Sequence, residues 1–71
     1  MDFTKKILQV YASPHSRNVW GYIDGIGWRK VQSLSNDGST NMFAILVAAR
    51  NSGVAVRGTL TAANEISILY L

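Results

Sequence analysis

Trp20, Tyr22 and Trp28 lie close together in this sequence, and Arg17, Arg29 and Lys30 lie beside them. Flat aromatic faces stack on sugar rings or on bases, while guanidinium and ammonium groups bind carboxylate or phosphate. The preceding stretch Ser13-Pro14-His15-Ser16-Arg17-Asn18 is dense in hydrogen-bond donors and acceptors and suits the edge of a sugar or anion site. The candidate ligand-binding residues are therefore Ser13, His15, Arg17, Asn18, Trp20 and Trp28. In this reading an indole stacks on the ligand ring, and Ser13, His15 and Asn18 hydrogen-bond to hydroxyls. Arg17 suits an acidic sugar. Tryptophan in a small domain serves as readily in the core, so the face that each indole occupies stays open.

Catalysis has little support. His15 is the single histidine, and Ser13 and Ser16 flank it without a third group to orient it. The carboxylates Asp2, Asp24, Asp37 and Glu65 fall in the tail or in predicted turns, with no pair spaced for acid–base work. Gly25-Ile26-Gly27 lacks the third glycine and the following helix of a dinucleotide loop. With no cysteine and one histidine, neither a metal site nor a cofactor is expected. The expected protein is not an enzyme.

These side chains need a scaffold, and the alternation of residues predicts one. Residues 5–12 read as a strand closed by Ser13-Pro14. Residues 18–24 and 27–34 read as a hairpin turning at Asp24-Gly25, with Trp20 and Tyr22 on one face and Val19 and Ile23 on the other. Gly21 marks a bulge or a close approach to the backbone. Residues 40–52 read as a helix ended by Gly53. Residues 54–60 alternate as a half-buried strand, with Val54, Val56, Gly58 and Leu60 on one face. Residues 66–71 alternate likewise, with Ile66, Ile68 and Tyr70 on one face. The expected fold is mainly β with one helix (α+β). In order β-β-β-α-β-β, it is a five-stranded OB-like barrel over residues 1–71 as a single domain.

Residues 42–49 are apolar on every face of the helix, and a small sheet can cover only one. Met42, Leu46 and Ala49 suit the sheet, which leaves Phe43, Ile45 or Val47 uncovered. Chains near 71 residues bury only about 60% of their unfolded surface, and this one has no cysteine for disulfides. Charged residues make up 15% of the chain against about 25% in an average soluble domain. A homo-oligomer is expected, with Met42, Phe43, Ile45, Leu46, Val47 and Arg50 at its interface. The net charge of +3 is spread without a basic stripe, which makes a nucleic-acid partner the weaker expectation. No apolar run reaches membrane-spanning length. No leader segment is visible, so the chain reads as cytoplasmic, or as a secreted mature form carrying an added Met1.

Four segments carry a family resemblance. They are Gly27-Trp28-Arg29-Lys30-Val31, Asn41-Met42-Phe43-Ala44-Ile45-Leu46-Val47-Ala48-Ala49, Gly53-Val54-Ala55-Val56 and Ile66-Ser67-Ile68-Leu69-Tyr70-Leu71. A Gly-Trp strand, an apolar helix, a glycine, a Val-x-Val strand and a Tyr-Leu end resemble the B subunits of AB-type toxins and their stand-alone bacterial relatives. That resemblance implies an OB-like barrel assembled as a ring, commonly a pentamer, with its helices at the centre. It also implies glycan binding on the outer surface, and in some members a separate enzymatic subunit as partner. The leading expectation is a non-enzymatic, lectin-like ring. A single-strand nucleic-acid binder and a purely structural oligomer that carries a partner protein are the alternatives.

Overall fold

The computed structural model describes residues 1–13, 18–32 and 36–70 of the 71-residue chain. In chain order its elements are β1 (Asp2–Lys5), β2 (Ile7–Ala12), β3 (Val19–Ile23), β4 (Gly27–Lys30), α1 (Asn36–Ser52), β5 (Val56–Leu60) and β6 (Ile66–Tyr70). They form two antiparallel sheets, β1-β5-β6 and β2-β3-β4, with one helix, so the class is mainly β with one helix.

The closed five-stranded barrel expected above is not what forms. The first predicted strand, residues 5–12, is β2 from Ile7 onward; Lys5 instead ends a further strand, β1, and the chain passes from one sheet to the other at Lys6. Among the described residues the sheets are otherwise bridged once, in parallel, between Val31 and Ile66, where the Gln32 amide donates to the Ile66 carbonyl at 2.8 Å. One bridge does not make a continuous ladder. The residues that gave no warning of β1 are Asp2, Thr4 and Lys5, which are exposed and polar; Phe3 alone is buried there.

The hairpin forms where Asp24-Gly25 predicts it, with the Ile26 amide donating to the Ile23 carbonyl at 2.9 Å. Gly25 adopts φ +78°, a conformation that glycine reaches without a Cβ penalty. The burial of β3 alternates as read: Val19, Gly21 and Ile23 face in, while Trp20 and Tyr22 face out. In β6 the alternation slips. Thr59 pairs with Ile68 but Leu60 pairs with Ile66, which leaves Ser67 as an extra residue. The bulge changes phase, so Ile66 and Leu69 are buried while Ile68 and Tyr70 are exposed.

The helix begins at Asn36, earlier than residue 40, and ends before Gly53. It packs on β2, with further contacts to β3 and β6. Leu46 and Ala49 reach the core beside Ile23, Val31 and Ile66. Gly21 lets Leu46 in: a Cβ there would lie 3.0 Å from Leu46 Cδ2. The close approach read from Gly21 is thus helix against sheet. Among the described residues no helix is long and apolar enough to cross a membrane.

Candidate functional site

The outward face of β2-β3-β4 carries two cross-strand rows. Tyr11, Trp20 and Lys30 are aligned in one, and Gln9, Tyr22 and Trp28 in the other. Side chains directly opposite or diagonal on one face lie within reach of each other. Tyr11, Trp20 and Trp28 accordingly line one shallow depression of about 360 Å³. Tyr11 is 50% exposed and Trp28 40%, although both are large aromatic groups.

Two contacts fix the indoles. Tyr22 meets Trp28 edge to face, with ring centroids 5.4 Å apart and planes at 86°. That is a favoured geometry for aromatic quadrupoles, and it sets the plane of Trp28. The Trp20 Nε1–H donates to Asn18 Oδ1 at 2.9 Å, and Asn18 Nδ2 donates to Ser13 Oγ at 2.7 Å. The backbone closes the same segment, the Ser13 amide donating to the Asn18 carbonyl at 3.2 Å. Ser13 and Asn18 therefore hold Trp20 in place. Satisfying the indole N–H within the protein leaves the ring face as its recognition surface.

Of the predicted ligand-binding residues, Trp20 and Trp28 come together, and Ser13 and Asn18 stand behind them. His15 and Arg17 lie outside the described residues. The sequence reading grouped Tyr22 with the two indoles without making it a candidate, and it missed Tyr11. The signal for Tyr11 was its place near the end of a strand that must pair with the Trp20 strand. Lys30 is the one cation in the two rows.

The helix residues expected at an interface divide between the chain's own core and a groove, with Phe43 touching both. Leu46 is fully buried in the chain's own core, and Met42, Phe43 and Ile45 are half-buried against it. Phe43, Val47 and Arg50 line a groove of about 490 Å³ between α1 and β2. The face expected to be uncovered is thus partly covered within one chain. Arg50 itself is exposed.

Among the described residues no cluster of histidine, cysteine, aspartate or glutamate is arranged to hold a metal ion. The outward face of β2-β3-β4 thus presents three aromatic side chains around one shallow depression, with Gln9 and Lys30 in the same cross-strand rows. Compared with protein-family models, curated proteins and solved structures, the chain matches none.

Proposed function

We propose that this protein is a non-enzymatic carbohydrate-binding module that assembles into a ring of identical subunits. The observation that carries the reading is the shelf made by Tyr11, Trp20 and Trp28. The C–H-rich face of a pyranose packs against such rings, and burial of both apolar surfaces drives the contact. Lys30, in the same cross-strand row as Tyr11 and Trp20, supplies an ammonium group for hydroxyls beside the shelf.

A single-stranded nucleic acid would also stack on this shelf, but its phosphates require a track of cations. Only Lys30 stands in the two rows, which favours the sugar. An OB-like arrangement belongs to the same proposal. Its supports are the order of strands and helix, the bend at Lys6 between the sheets, and the parallel contact of Val31 with Ile66. Ring assembly is supported by the low charge of the chain and by the groove between α1 and β2, where Phe43 and Val47 stand beside Arg50.

A glycan array combined with a tryptophan fluorescence titration tests the ligand. Trp28→Ala is expected to weaken sugar binding about tenfold, from the loss of one aromatic contact of roughly 1 kcal/mol plus its buried area. Its fold should persist, because Trp28 is an exposed residue of β4. Absence of binding to every glycan, or a salt-sensitive preference for an oligonucleotide, would overturn the reading. Light scattering tests assembly separately: a mass at least twice that of the chain is expected, and a clean monomer at micromolar concentration removes the ring.

A further inference from the structure

The other sheet carries a cleft of different chemistry. On the outward face of β1-β5-β6, Thr4 is paired with Arg57 and Arg57 with Tyr70, while Asp2 is paired with Thr59. These side chains wall a cleft of about 240 Å³. The Arg57 guanidinium stacks over the Tyr70 ring, 5.3 Å from its centroid. It makes no ion pair or hydrogen bond with another described residue. Asp2 accepts a hydrogen bond from Thr59 Oγ1 at 2.9 Å through Oδ1, and its second oxygen has no partner among the described residues.

A guanidinium and a carboxylate thus share one cleft without neutralising each other. Stacking fixes the guanidinium plane while leaving its N–H groups for an outside acceptor. Planar, bidentate recognition by arginine suits a carboxylate. Asp2 is displaced from Arg57 by two residues along the sheet, about 7 Å at the usual rise per residue. That carboxylate accepts from hydroxyl groups and repels a compact anion placed between the two. The two demands together describe one ligand class: a sugar ring with a carboxylate at one end and free hydroxyls at the other.

We infer that this cleft binds a uronic acid unit, with Arg57 on its carboxylate and Asp2 and Thr4 on its hydroxyls. Tyr70 is a positioning residue that orients the guanidinium. The site is on a different sheet from the aromatic shelf and does not depend on it.

The test is an NMR titration of the whole chain with methyl glucuronide, methyl glucoside and inorganic phosphate. Methyl glucuronide should shift the backbone amides of Asp2, Thr59 and Tyr70. Methyl glucoside should bind about tenfold more weakly or worse, since it lacks the partner for a charge-assisted hydrogen bond. Arg57→Gln should weaken the glucuronide to the level of the glucoside, and Arg57→Lys should restore only part, because an ammonium cannot make the fork. Equal binding of glucoside and glucuronide overturns the inference. So does equal or tighter binding of phosphate, which would make the cleft a simple anion site, and so does an absence of shifts at these amides. The Trp20 indole N–H signal reports the shelf independently. Trp28→Ala should leave the glucuronide response of the cleft unchanged, so failure of either site is seen apart from the other.

Discussion

Leu46→Ala is expected to cost about 2–5 kcal/mol of folding stability, the range for emptying a buried leucine site. Leu46 is 0% exposed and lies where the helix meets β3 and β6. Domains hold only about 0.05–0.15 kcal/mol per residue, so the loss removes a large share of the stability of a small chain. Urea unfolding reads it as a lower midpoint at an unchanged slope. A second substitution makes the test specific to this contact. The Cβ of a Gly21→Ala variant would lie 3.0 Å from Leu46 Cδ2 and 3.7 Å from Ile66 Cδ1. Alone, Gly21→Ala should be mildly destabilising, because the leucine methyl must move aside. In the Leu46→Ala background the same methyl enters vacated space and should cost less or stabilise. Additivity within about 0.3–0.5 kcal/mol would show that the two residues do not touch as described.

Gly58→Ala should be the most tightly opposed alanine substitution among the described glycines. The new Cβ would fall 2.5 Å from Phe3 Cζ and 2.8 Å from the Ile68 carbonyl oxygen. The ring of Phe3 is buried and the carbonyl belongs to the paired strand, so neither yields as a leucine methyl does. A cost of about 3 kcal/mol is expected, at the upper end of the range for overpacking. Thermal unfolding followed by circular dichroism measures it. Shortening the aromatic side chain in a Phe3→Leu background should recover only part of the loss, since the carbonyl remains. A neutral Gly58→Ala would mean that β1 does not lie over β5 in this register.

Both predictions concern glycines, and the sequence made only one of them conspicuous. Gly21 stands inside a strand between two aromatic residues, so a bulge or a close approach was readable, and the structure shows the close approach. Gly58 merely continued the alternation of Val56 and Leu60, and its partner Phe3 sat in a stretch with no apolar repeat. The hairpin at Asp24-Gly25, the helix and the inward face of β5 were legible because each is specified by neighbours in sequence. The strand β1, the division at Lys6 and the slip at Ser67 were not. Each depends on pairing with distant residues, which no local pattern encodes. The site follows the same rule. Trp20 and Trp28 share a hairpin and were found together, whereas Tyr11 joined them only through the register of β2 with β3.

The division at Lys6 also orders the work of folding. Strands β2, β3 and β4 are joined by short connections, and they hold every ring of the shelf. Their ladders close small loops, and the entropy lost in closing a loop grows with the logarithm of its length. The ladder of β1 with β5 instead joins Asp2 to Thr59, 57 residues apart. Nearly the whole chain must be constrained before Phe3 is covered, and such distant pairings slow a transition. The aromatic shelf therefore stands on ladders that close short loops, whereas the arginine cleft stands partly on the pairing of β1 with β5, which closes a long one.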